Sequence, residues 1–231
     1  MGCQWYLALT AAEFKGFRGP EKPAWMACHF SAHDTGLVNL PAALPSQALI
    51  LVDDSTPIAQ HDANRVVNQL LQLCRRFCPV GILLDLQRPK TDRAVSMVLS
   101  ICRALPCPVA VTEAYGSIHT GPVLVSAPIH LPLAQVISPW KGRKIWLDLP
   151  LGQQTVLMQS SGKQIGPITD LPQESFPHWD KFLYCHYQRR STPQGVQFTL
   201  SRGADSIPKL LQQADKLGIP LAISLYQEYK K

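Results

Sequence analysis

The feature that most limits how this chain can fold is a set of short, unbroken apolar runs, each of which opens into polar residues. They read QWYLALT, WMACHFS, ALILVDD, GILLDLQ, PVAVTEA, PVLVSAP, KIWLDLP and PLAISLYQE. Alternating runs suit strands with one wet face, whereas continuous runs suit strands covered on both faces.

Three amphipathic helices lie among these runs. Asp62 to Phe77 carries Val66, Val67, Leu70, Leu71, Cys74 and Phe77 at helical spacing behind an aspartate cap. Thr91 to Leu105 carries Ala94, Val95, Val98, Ile101, Cys102 and Leu105 and is stopped by Pro106. Asp205 to Leu217 points Ile207, Leu210, Leu211 and Ala214 inward, with Gly218 as its stop. Eight covered strands with helices between several of them predict an α/β fold, an irregular (β/α)8 TIM-type barrel with reduced helices. Only seven residues separate Ala114 from Pro122, too few for a crossover helix, so that connection is cut down or the strand order changes there. TVLMQSSGKQI, turning at Ser161-Gly162, and FLYCHYQRR/VQFTLSR around STPQG predict hairpins inserted between the seventh and eighth strands. With 46% hydrophobic and 16% charged residues, the 231-residue chain has enough apolar material for a single domain over 1–231.

Several function classes fit poorly. The net charge is +6, but the basic residues fall in scattered pairs such as Arg75/Arg76 and Arg189/Arg190, with no interleaved aromatics, which argues against nucleic-acid binding. Seven cysteines without a CxxC pair read as reduced, packed thiols. Histidines include HFSAH but no HExxH, so no metal is expected, and no phosphate loop or GxSxG elbow is present, so no cofactor is expected. The opening MGCQWYLALTAAEFKG has no basic leader, and no run approaches a membrane span, so the expectation is a cytoplasmic protein without membrane association. Of five tryptophans, Trp140 and Trp179, beside prolines and charges, are expected to be the exposed ones.

Barrels of this type place their chemistry at the C-terminal ends of strands. That rule selects Asp53 and Asp54, Asp85 with Gln87 and Arg88, Glu113, Ser126, Asp148, and the Tyr226, Gln227, Glu228 end of the last strand. Asp85 and Gln87 lie on one side of their strand because side chains alternate with period two. As a plain structural alternative, Asp85 bonds to Arg88 or to a backbone amide.

VGILLDLQRP, preceded by an amphipathic helix, resembles the fourth strand of family 18 glycoside hydrolases, the chitinase and spore-cortex-lytic group, whose motif is DGxDxDxE. Gly81, Ile82, Leu84, Asp85 and Pro89 match it, while Val80, Leu83 and Gln87 stand where that family has Asp, Asp and its catalytic Glu. LILVDDS fits the family's third strand, and KIWLDLPLG is similar to its seventh, with Asp148 replacing a glycine. ADSIPKLLQQADKLGIPLAISLYQE is similar to the closing stretch of the spore-associated branch, with Ser224 near that branch's tryptophan. The sixth-strand Tyr-Asp pair is replaced in LVSAPIH.

The resemblance implies a reaction in which the sugar's N-acetyl group attacks the anomeric carbon while a protonated glutamate protonates the leaving oxygen. A carboxamide has no such proton to give. The expectation is therefore a protein that does not hydrolyse. It would bind an N-acetylglucosamine-containing glycan or a protein partner through Asp85, Gln87, Arg88, Glu113, Asp148 and Tyr226, with spore association implied by the resemblance. The alternative is a hydrolase of such glycans that uses another strand-end acid, with Glu113 or Asp85 as the catalytic candidates.

Overall fold

The computed structural model describes residues 2–169 and 176–230. Its elements in chain order begin with β1 (Gln4–Leu9), α1 (Ala11–Gly16), β2 (Lys22–Phe30), β3 (Leu37–Val38), β4 (Leu49–Asp53), α2 (Ala63–Phe77), β5 (Gly81–Asp85), α3 (Asp92–Ala104), β6 (Val109–Thr112) and β7 (Val123–Ser126). They continue with α4 (Leu133–Ile137), β8 (Ile145–Asp148), β9 (Gly152–Gln159), β10 (Gly162–Thr169), β11 (His178–Asp180), β12 (Cys185–Thr192), β13 (Gly195–Arg202), α5 (Ile207–Lys216), β14 (Leu221–Leu225) and α6 (Tyr226–Tyr229).

Strands β1, β2, β4, β5, β6, β7, β8 and β14 form an eight-stranded parallel barrel, its sheet closed by the pairing of β1 with β2. These are the eight apolar runs. Short β3 adds to β2 antiparallel. The predicted hairpins supply four strands of a separate five-stranded antiparallel sheet, ordered β10-β9-β13-β12-β11, inserted between β8 and β14, with short β11 as the fifth. The first turn sits one residue earlier than expected, at Ser160-Ser161, because Gly162 at φ +131° opens β10.

The chain divides into two compact units: residues 5–125 with 142–146, and residues 1–4 with 126–141 and 147–231.

In the 5–125 unit, one apolar core joins Ile50, Val52, Ile82, Leu84, Val109 and Val111 on the strands to the inner stripes of α2 and α3. Asp62 caps α2, its carboxylate accepting from the Asn64 N–H at 2.8 Å, and Val66, Leu70, Leu73 and Cys74 point inward. The helix stops at Cys78, whose left-handed backbone (φ +46°) does the job glycine usually does. Thr91 caps α3, accepting from the Ala94 N–H at 3.2 Å. Here Met97 joins Ala94, Val98 and Ile101 in the core, while Val95 and Cys102 lie half-buried at its margin. The stripe is thus centred slightly off the predicted line, since Met97 and Ile101 are four apart and share a face.

Between β6 and β7 the crossover is reduced to a 3₁₀ segment, Glu113–Ile118. Arg143 ties it down, donating from Nη1 to the Gly116 carbonyl at 2.9 Å and from Nη2 to the His119 carbonyl.

In the other unit, Ile129, Val156, Cys185 and Leu200 form the core on one face of the antiparallel sheet. Arg202 is 2% exposed there. Its guanidinium donates to the Ala127 carbonyl at 2.7 Å and the Leu183 carbonyl at 3.3 Å, and burial lowers its pKa to about 10. α5 starts at Ile207 rather than Asp205, because a 3₁₀ turn over Ala204–Ser206 precedes it, and Gly218 (φ +73°) follows its end as predicted. Trp140 and Trp179 are half-buried rather than exposed; the Lys209 ammonium stands 3.7 Å from the Trp179 ring centroid and His186 packs edge-on against that ring.

Candidate functional site

Parallel strands bring their C-terminal ends to one side, and in-register pairing of β4 with β5 sets Asp53 beside Asp85. These two aspartates therefore lie side by side at neighbouring strand ends. Asp53 accepts from the Ser55 N–H at 2.9 Å, which turns its carboxylate into a cap for the following loop.

Asp54 does more. It is 3% exposed, and its two oxygens accept the backbone N–H groups of Gln87 at 2.8 Å and Arg88 at 2.9 Å. Arg88 returns the contact, its Nε donating to the Asp54 carbonyl at 2.8 Å and its Nη2 to the Ser55 carbonyl at 2.7 Å. Four hydrogen bonds thus lock the segment after β5 onto the segment after β4. Thr112 adds a third strand, donating from its hydroxyl to the Leu86 carbonyl at 2.9 Å.

On this fixed platform Asp85 and Gln87 face each other. The Gln87 Nε2 donates to Asp85 Oδ1 at 2.6 Å, the side-by-side placement that period-two alternation predicts. Gln87 is exposed and Asp85 half-buried, while Leu83, two residues earlier on the same side, is buried. Burial raises the Asp85 pKa, the Gln87 amide opposes that shift, and the negative charges of Asp53 and Asp54 add to it. Asp85 thus stands beside an amide that has no acidic proton to give.

The alternative partner for Asp85, Arg88 or a backbone amide, is replaced by the Gln87 side chain, because Asp54 captures the backbone amides of Gln87 and Arg88 and the Arg88 guanidinium turns to the Asp54 and Ser55 carbonyls. A cavity of about 60 Å³ lies behind the Asp54–Arg88 clamp, lined also by Pro57, Ile58, Thr91 and Tyr115. Tyr115 is 1% exposed, and burial, with the charge of Asp54, raises its pKa. Glu113 is exposed at the first position of the 3₁₀ segment after β6. The electrostatic neighbours that shift Asp85 are Asp53 and Asp54.

The second unit carries its own strand-end residues. Asp148 is half-buried and accepts from the Ser126 hydroxyl at 2.9 Å, while its carbonyl accepts the Ala127 N–H at 2.8 Å. Glu228 accepts the Leu151 N–H at 2.9 Å, and Ser224 donates to the Leu149 carbonyl at 2.8 Å. Tyr226 is half-buried on α6, with the Lys230 ammonium 5.0 Å from its ring centroid. Asp54 and Ser126, both selected by the strand-end rule, take structural parts here, and so does Tyr115, which motif reading does not single out. The signal for Asp54 is the doublet DD at a strand end, which offers one carboxylate outward and one inward.

Among the described residues no group of three or more His, Cys, Asp or Glu side chains is placed to hold a metal ion. No described helix is long and apolar enough to cross a membrane.

No protein-family model matches the chain, and no curated protein matches it in sequence. Its fold, however, is similar over nearly its whole length to solved glycoside hydrolase family 18 and spore cortex-lytic structures. A family 18 N-acetylglucosaminidase from Paenibacillus barengoltzii superposes with a TM-score of 0.61 at 9% identity, covering 99% of this chain and 95% of that one. The spore cortex-lytic enzyme SleL of Bacillus megaterium QM B1551 gives 0.58 at 10% identity, covering 97% of this chain and 70% of that one. A chitinase-like agglutinin from Robinia pseudoacacia gives 0.57 at 12% identity, covering 95% and 93%. The architecture shared with these proteins thus hosts both hydrolases and an agglutinin.

Proposed function

We propose that this protein is a non-hydrolytic binder of N-acetylglucosamine-containing glycans, recognising its ligand at the β5 strand end through Asp85 and Gln87. The observation that carries the reading is the exposed Gln87 amide, hydrogen-bonded to Asp85 at 2.6 Å, where the resembled family carries its proton-donating glutamate. A glutamine there can donate to or accept from a glycosidic oxygen or an acetamido group, but it cannot act as a general acid. The agglutinin among the similar structures supports a binding role on this architecture.

The test uses chito-oligosaccharides and muropeptide fragments in calorimetry together with a reducing-end assay. Expected is saturable binding without turnover, weakened about tenfold by Asp85→Ala, in line with the loss of a hydrogen bond to a charged group. Gln87→Glu restores the missing acid beside Asp85 and is expected to introduce slow turnover. Turnover by the unaltered chain that is lost in Glu113→Gln would replace this reading with that of a hydrolase; the exposed carboxylate after β6 is the observation favouring that second reading. Absence of both binding and cleavage would remove the glycan from the proposal and leave a protein partner, to be sought by cross-linking.

A further inference from the structure

Seven thiols are distributed over the chain, and two of them touch. Cys74 stands on the last turn of α2, and Cys107 lies 33 residues later in the link from α3 to β6; their Sγ atoms are 3.6 Å apart. Both ends are rigidly held. Cys74 is 5% exposed in the core of its unit, and Cys107 is flanked by Pro106 and Pro108, which fix the backbone on either side. A disulfide has its sulfurs about 2.05 Å apart, so the pair must close by about 1.5 Å through rotation of the two side chains.

The geometry points to Cys74 and Cys107 as a reversible oxidation site that closes to an intrachain disulfide. The two thiols are not equivalent. Cys107 is the half-buried one, and the hydrogen bond from Cys74 lowers its pKa; that same bond, together with burial, raises the pKa of Cys74. Cys107 is therefore the attacking sulfur and Cys74 the resolving one.

With hydrogen peroxide as oxidant, the Cys107 thiolate attacks one peroxide oxygen. The O–O bond breaks, leaving a sulfenic acid on Cys107 and releasing hydroxide, which takes up the thiol proton as water. Cys74 then attacks the Cys107 sulfur, the S–O bond breaks, and a second water leaves with the Cys74 proton. Two thiols lose two electrons and one peroxide is reduced to two waters. With glutathione disulfide the same two electrons pass by two thiol–disulfide exchanges, releasing two glutathiones.

The bond would tie the C-terminus of α2 to the entrance of β6, the end of these strands remote from Asp85. Closing a loop of this length restricts the unfolded chain and is expected to raise Tm by about 5 °C, reversibly on reduction.

The experiment treats the full chain with hydrogen peroxide and, separately, with glutathione disulfide. It then counts alkylatable thiols, maps peptides by mass spectrometry without reduction, and records Tm. Expected are a fall of two in the thiol count, a cross-linked peptide pair containing Cys74 and Cys107, and a Tm rise that dithiothreitol removes. Cys74→Ala and Cys107→Ala should each abolish the linked peptide, and Cys78→Ala should leave it unchanged, which guards against a folding defect being read as loss of the site. Peptide maps in which Cys74 and Cys107 remain unlinked while exposed Cys78 is modified, or in which either pairs with another cysteine, would overturn the assignment.

Discussion

Asp54 illustrates how a single carboxylate can shape a site without being in it. Its oxygens satisfy two backbone N–H groups of the segment that presents Gln87, so replacing it leaves both without their partner. Asp54→Ala should cost about 1–3 kcal/mol in denaturant unfolding, and it should also weaken any ligand that depends on the Gln87 amide. Asp85 gives a pH signature instead. A carboxyl whose folded pKa is raised stabilises the native state while protonated; that contribution is complete below the unfolded carboxylate range, near pH 3.9, and is lost as pH rises through the folded pKa. Asp85→Asn keeps an acceptor for Gln87 and removes the charge. Its Tm should match the unaltered protein near pH 3 and exceed it at neutral pH by roughly 2 °C, whereas a constant offset at all pH values would sink the argument. The pairing of Asp85 with Gln87 was legible in the sequence, since alternation alone puts them together. The clamp by Asp54 was not, because it depends on β4 lying beside β5, which no local pattern states.

At the level of the element, Gly81 opens β5 for a packing reason. A methyl group there would come within 2.6 Å of the Trp146 ring and 2.9 Å of the Pro108 carbonyl. Gly81→Ala should therefore destabilise by about 1–3 kcal/mol, seen as a lowered urea midpoint with an unchanged slope. The three long helices were legible because caps and apolar stripes are local signals. Their inward lines still shifted, with Met97 displacing Val95, because the facing strands decide which flank of a broad stripe is covered. The two- and three-residue strands β3 and β11 left no trace, since runs that short carry no periodicity and exist only through their partners. The trimmed crossover after β6 was foreseen from its length alone.

For the whole molecule, the eight apolar runs implied the barrel because strands covered on both faces have few other architectures open to them. The division into two units was not legible: three of its boundaries fall within β1, β7 and β8, after Gln4, Val125 and Trp146, and the fourth follows Lys141 in the turn before β8. Because three of the four crossings between the units lie inside strands, we expect a single cooperative transition in calorimetry. Two resolved heat-absorption peaks would show instead that the units melt independently. The abbreviated link after β6 has a further consequence. A full crossover helix would divide the work of sealing that stretch among many side chains, each replaceable in turn. Here the guanidinium of Arg143 fastens successive carbonyls of the link. Redundancy has been given up for brevity, and drift across the chain should slow at that cation.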